Sequence, residues 1–144
     1  MEDNELRQAI AVMESYKERV EALSRQVQVL RVSLDEVTMA SDAIKAFRDA
    51  KDGDEILVPV GAMSFIPVKV TGNRNVVVGV GSNVSVEKDV SDSIEYMDAN
   101  GAEINEALKK TVEALNEAQN ALSELSNAIQ HEYANRQAAM DNQQ

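Results

Sequence analysis

Cysteine and tryptophan are absent, aromatic residues make up 3% of the 144 residues, and His131 is the single histidine. Without cysteine there is no disulfide framework and no thiolate metal site, which fits a reducing cytosol. So few aromatics argue against a thick globular core, although 44% of residues are apolar. Basic residues are scarce too: 14 Lys and Arg stand against 25 Asp and Glu, for a net charge of −11. That balance argues against nucleic acid as a partner, because phosphates require clustered Lys and Arg. No apolar run approaches the length of a membrane span, and the opening MEDNELRQ is acidic where a signal segment would be basic and then apolar. The expectation is a cytoplasmic chain that does not engage membranes.

The signatures of catalysis are missing as well. HExxH, CxxC and GxSxG do not occur. Gly79-Val80-Gly81-Ser82 lacks the GK[ST] ending of a phosphate loop and leads into another extended run, so it reads as turn chemistry. His131 lies among Gln130, Glu132 and Tyr133, the setting of a solvated surface histidine. Acidic pairs such as Asp35-Glu36 lack the pocket that paired catalytic carboxylates need. The sequence predicts no enzyme, no metal and no cofactor.

What is present is concentrated between Asp54 and Lys88, which hold both prolines, four of the six glycines and the densest valine content. Apolar, β-branched runs recur at Ile56–Val60, Phe65–Val70, Asn75–Val80 and Val84–Glu87. Gly and Asn, which tolerate positive φ, fill the gaps. Gaps this short permit only antiparallel hairpins, so the pattern predicts four strands in two hairpins. Val76-Val77-Val78 is apolar at successive positions, so both faces seek cover. Short strands with open edges invite pairing with another chain. A second copy of a similar sheet, closing a barrel between subunits, satisfies both demands and points to self-assembly.

Flanking this insert are two heptad helices. In the first, position a reads Leu6, Met13, Val20, Val27, Leu34 and Ser41, and position d reads Ala9, Tyr16, Leu23, Leu30, Val37 and Ile44. All but Ala9 and Ser41 are large and apolar or aromatic, which is a coiled-coil seam. Asp3 or Asn4 is the expected start cap and Gly53 the expected C′ residue, for a helix about 65–70 Å long. In the second, a reads Ile94, Gly101, Leu108, Leu115, Leu122, Ile129 and Arg136, and d reads Met97, Ile104, Thr111, Ala118, Leu125 and Glu132. Asp92 with Glu95 resembles a capping box, while Gly101 leaves open whether the helix starts before or after it. The seams Leu6–Ile44 and Ile94–Glu132 are equal in length, so the arms should fold back antiparallel, with Ile44 beside Ile94 and Leu6 near Glu132. Separate helices, each coiling with another chain, are the alternative. The final DNQQ is expected to be disordered.

Several apolar residues fall outside the seams near the free ends: Ile10 and Val12 in the first helix, Tyr133 and Met140 in the second. Scattered surface apolars are common, but a loose, Met-containing end also suits capture of exposed apolar segments. Val29 and Val32 are off-seam further along the first helix.

Taken together, a long heptad helix, an insert reading ILVPVGAMSFIPVKV and NVVVGVGSNVSVEKD, and a second matching heptad helix resemble the α subunits of archaeal prefoldin over essentially the whole chain. VPVG at Val58–Gly61 and VGVGSNVSVEK at Val78–Lys88 are the most specific parts. Two hairpins match the α type, since the β subunits of that family carry one. The resemblance implies an α+β fold, a long antiparallel coiled-coil hairpin with two central β-hairpins that assemble into an intersubunit β-barrel. It divides the chain into a first coiled-coil helix (1–52), an assembly region (53–90) and a second coiled-coil helix with a tail (91–144).

It further implies a hexamer of two α and four β subunits. Such a complex, an ATP-independent holdase, captures non-native polypeptides at its coiled-coil tips and passes them to a group II chaperonin. Subunit assembly would then fall to Ile56, Val58, Val60, Phe65, Val68, Val70, Val76, Val78 and Val80, and client contact to Leu6, Ile10, Met13, Ile129, Tyr133 and Met140. A structural coiled-coil spacer or adaptor that holds two folded partners apart is the competing reading of the same layout.

Overall fold

A computed structural model describes residues 1–143. The chain runs α1 (Asp3–Asp49), β1 (Glu55–Gly61), β2 (Ser64–Lys69), β3 (Asn75–Gly81), β4 (Val84–Asp89) and α2 (Val90–Asp141). The residues group into two compact units, Met1–Val29 with Leu108–Gln144, and Leu30–Ala107.

In the first unit the start of α1 lies antiparallel to the end of α2. Leu6 and Val27 of α1 and Ala118 and Ile129 of α2 are buried, and the remaining seam positions are at least half-buried. The cap of α1 sits one residue before the expected Asp3 or Asn4. The Leu6 amide donates to the Glu2 carbonyl at 3.0 Å, and the Glu2 amide donates to the Glu5 carboxylate at 3.2 Å. Glu5 thus supplies the reaching-back half of a capping box. At the other end, helix continues through Asp141 and a turn takes in Asn142 and Gln143, so the expected disorder of DNQQ does not extend to those residues. Gln144 lies outside the described residues.

The second unit holds the base of the helix pair and both hairpins. Its core is Ile44, Val90 and Ile94, with Phe47, Val76 and Met97 packed against it. Two helices and one hairpin therefore share a single apolar cluster. Above it, the buried Ser41 hydroxyl donates to the Asp98 carboxylate at 2.8 Å, and Lys45 approaches the same oxygen at 3.6 Å. A polar seam residue with one available partner resists sliding of one helix past the other.

α2 begins at Val90, well before Gly101, and its N-cap is Asp89 in place of the expected Asp92. The Asp92 amide donates to the Asp89 side chain at 2.8 Å, and the buried Ser93 hydroxyl donates to the Asp89 carbonyl at 2.7 Å. Gly101 is therefore interior to the helix. A Cβ there would meet only the Val37 side chain, at an ordinary 3.7 Å. Gly101→Ala is expected to stabilise the fold by about 0.5–1 kcal/mol through helix propensity alone, read as a higher denaturant midpoint at unchanged slope.

Each hairpin is a separate two-stranded antiparallel sheet. The first pairs Ile56 with Val68 and Val58 with Ile66; the second pairs Val76 with Lys88 and Val78 with Val86. The two repeat each other at an interval of twenty positions, Gly61 falling on Gly81 and Val70 on Val90. Even the irregularities repeat, with a bulge between Pro59 and Gly61 and another between Gly79 and Gly81. The turn residues Ala62 and Met63 (φ 49° and 57°) and Ser82 and Asn83 (φ 52° and 60°) are all left-handed, the hand that matches strand twist in a two-residue hairpin turn. Isolated hairpins are marginal in water, so these depend on their packing against the helices.

The junction after α1 is closed by a side chain. α1 stops at Asp49, and Gly53 does not cap it; the Gly53 amide instead donates to the Val70 carbonyl at 2.7 Å, while Val70 donates to Asp54 at 2.8 Å. The last carbonyls of α1 are met by Arg74, from the segment between the hairpins. Its guanidinium donates to the Phe47 carbonyl at 2.7 Å and the Ala50 carbonyl at 2.8 Å, and lies 5.1 Å from the Phe47 ring centroid. A cation at a helix C-terminus gains from the macrodipole and supplies donors to otherwise unpaired carbonyls. Arg74→Met, which keeps an apolar stem but no donor, is expected to cost about 1–2 kcal/mol and to speed amide exchange over residues 44–50.

Candidate functional site: the outward faces of the hairpins and the helix ends

Period-two alternation sorts the hairpin side chains into two sets. Val70 and Val78 are buried within the chain, at 4% and 1% exposure, and Ile56, Val58 and Val76 are half-buried. These five face inward; with Ala43, Ile44 and Phe47 of α1 they line a groove of about 400 Å³, except Val78, which lies deeper. Among the residues the sequence assigns to assembly, only Val60, Phe65, Val68 and Val80 are exposed.

Leu57 and Val77, on the alternate face, are 62% and 70% exposed, and Ile66, Val84 and Val86 are exposed too, although Ile66 and Val86 pair with Val58 and Val78 and so share their face. The signal was available: where Val76 and Val78 face the core, the intervening Val77 must face away. Met63, at the tip of the first hairpin, is 94% exposed and also left-handed. Its left-handed backbone belongs to the hairpin turn, and Asn83 holds the same place in the second hairpin at φ 60°. The outward side of the first hairpin forms a second groove, of about 570 Å³, from Leu57, Pro59 and Phe65 on the strands and Met39, Ala43 and Ala46 on α1, with Asp35 and Asp42 at its rim.

At the helix ends, Leu6 and Ile129 are buried between the helices, Ile10 and Met13 are half-buried, and Tyr133 and Met140 are exposed. The six tip residues thus do not form one exposed patch. A shallow groove of about 460 Å³ runs along Val12, Tyr16, Ala121, Leu125 and Ala128. Sequence reasoning found Val12 but not the alanines, whose small side chains open this groove. Arg136, the last a position of the second heptad, binds Glu132 at 2.9 Å and Asp3 at 2.7 Å. The hydrogen bond from Arg136 holds the Glu132 carboxyl below its ordinary value, and Glu132 followed by Asp3 raises that of Arg136.

Among the described residues no group of His, Cys, Asp or Glu is placed to hold a metal ion, and no helix is long and apolar enough to cross a membrane. The surface offers apolar contact instead, on the hairpins and along the helix ends.

The family model described as "Prefoldin subunit" matches residues 16–135. Prefoldin subunit alpha of Methanothrix thermoacetophila is 34% identical over 108 residues, covering 75% of this chain and 71% of the relative. Prefoldin subunit alpha of Pyrococcus horikoshii is 31% identical over 105 residues, covering 67% and 71%. In fold, the crystal structure of the prefoldin beta subunit from Thermococcus strain KS-1 superposes with a TM-score of 0.58 at 14% identity, over 88% of this chain and 90% of that one. Two long helices bracketing two antiparallel hairpins, a family match across most of the chain and α-subunit relatives above 30% identity lead to one conclusion: the chain belongs to the prefoldin family of chaperones.

Proposed function

We propose that the chain is the α-type subunit of a hexamer of two α and four β subunits, working as a cytosolic, ATP-independent holdase that hands clients to a group II chaperonin. The observation that carries this reading is the set of exposed apolar residues on both hairpins, led by Leu57, Val77 and Met63. Paired sheets from neighbouring subunits, closing a barrel, would bury them and cover the open strand edges. Residues 53–90 then serve as the assembly region, with 1–52 and 91–144 as the arm.

Client contact on this reading is weak at each arm and strong over several, because arms fixed to one platform raise the effective concentration of every further contact. Tyr133, Met140, Ile10 and Met13 are the available apolar surface near the ends, together with the groove beside Tyr16. The sequence has no phosphate loop, so release falls to competition by the chaperonin. The test mixes the assembled complex with a chemically denatured protein and follows light scattering without nucleotide. Suppressed aggregation of several unrelated clients is the expected result. Unchanged scattering at molar excess refutes the holdase reading, as does binding to one folded partner only, which is the behaviour of an adaptor.

A further inference from the structure

Where the first unit ends, the apolar seam stops at Leu6 and Ile129, at 7% and 5% exposure. The next seam positions of α2 are charged, Glu132 and then Arg136. Arg136 reaches across to the other end of the chain through two donors, Nη1 to Asp3 at 2.7 Å and Nη2 to the Met1 carbonyl at 2.9 Å, while its Nε holds Glu132 of its own helix at 2.9 Å and the Met1 ammonium lies 3.7 Å from the same Glu132. One guanidinium ties the first residues of α1 to the end of α2. Apolar burial at these positions would hold the ends together whatever the salt concentration. A guanidinium fork open to solvent is a weak bond and is screened by salt.

The placement matters because of what lies beneath it. Leu6 and Ile129 are the last large apolar seam residues before the ends, and neither can touch another chain while the helices stay paired. We propose that Arg136 is a salt-sensitive latch that keeps the helix ends closed over Leu6 and Ile129, and that its release presents these two side chains to a non-native polypeptide. The second half of this statement rests on the client-holding reading above. Opening requires no unfolding of the second unit, since every contact of the latch lies at Met1, Asp3, Glu132 or Arg136.

Hydrogen exchange on the full chain in its assembled complex tests the latch directly. Arg136→Ala in low salt, and the wild type in about 1 M NaCl, are both expected to exchange roughly three- to tenfold faster over residues 6–13 and 126–136, with residues 41–48 and 94–101 unchanged. Alanine is the better helix former, so faster exchange in that variant does not reflect loss of helix propensity. Arg136→Met, which keeps an apolar stem without the charge, is expected to exchange as fast as Arg136→Ala. Exchange indifferent to both substitution and salt overturns the latch, and so does wild-type protection in Arg136→Met, which would assign Arg136 a packing role through its stem. Capture of a denatured client by Arg136→Ala should rise along with the exchange rate. If exchange responds as expected and neither protein captures any client, the holdase reading fails while the salt-sensitive closure stands; if wild type and variant capture equally, Leu6 and Ile129 are not the surface that the latch controls.

Discussion

A chain carrying Leu57→Asp and Val77→Asp is expected to fold normally and to fail to assemble. Both side chains point away from the core on the two hairpins, at 62% and 70% exposure. In the free chain the new carboxylates are solvated, and substitutions at such sites usually change stability by about 0.5 kcal/mol or less, with a further fraction of a kcal/mol for the low strand propensity of Asp. Across a sheet-to-sheet contact the same carboxylates would be desolvated without partners, at a cost of several kcal/mol each. Two of them raise the dissociation constant by roughly a thousandfold or more. Native mass measurement of the variant with β-type partner chains should show free subunits, while circular dichroism of the variant alone matches the wild type. An intact complex would place the assembly surface elsewhere. Val78→Asp is the internal control: at 1% exposure it should unfold the second hairpin in the free chain, because that carboxylate is buried before any partner arrives.

Ile94→Ala should be among the most destabilising single truncations available, at about 2–5 kcal/mol. Ile94 stands in the cluster with Ile44 and Val90, where Phe47, Val76 and Met97 converge. Removing it leaves a cavity that neither helix can close without breaking the Ser41–Asp98 hydrogen bond one turn away. The cluster also anchors the second hairpin through Val76, so amide protection in β3 and β4 should fall along with that of α1 and α2. Chemical denaturation followed by helical circular dichroism, and exchange over residues 75–89, are the two readouts. A loss below 1 kcal/mol, or hairpin protection that survives, would mean that the hairpin is held by something other than this cluster.

The legibility of the fold followed from periodicity. Heptads at Leu6–Ile44 and Ile94–Glu132 led to the correct partners, since Ile44 meets Ile94 in the second unit and Asp3 lies beside Arg136 in the first. Valine runs broken by Gly and Asn gave the strands to within a residue or two. Helix ends were less legible. Asp92 looked like a cap because Glu95 follows it, but Asp89 has a side chain equally able to cap and stands where the strand ends. Gly53 looked like a terminator, yet Arg74, far along the chain, meets the last carbonyls of α1. Local signals rank several residues of similar chemistry, and only the approach of distant segments chooses among them.

Which apolar residues of the hairpins and helix ends stay exposed was not legible residue by residue. Selecting every second valine is safe in a strand that faces a core on one side, but the sequence does not say which side. Val70 and Val78 turned inward and Leu57 and Val77 outward because the hairpins pack against α1 and the start of α2. The same holds at the free ends, where Leu6 and Ile129 are apolar and terminal and nevertheless covered.

From the residues alone came the helix pairing, the two hairpins and the absence of catalytic motifs, since each depends on patterns that repeat over a few neighbours or on residue types that are simply missing. Tertiary structure decided which apolar side chains remain exposed and which charged group bonds across the helix ends. Those outcomes depend on the direction a segment faces once it meets a distant one, and no local pattern encodes that direction.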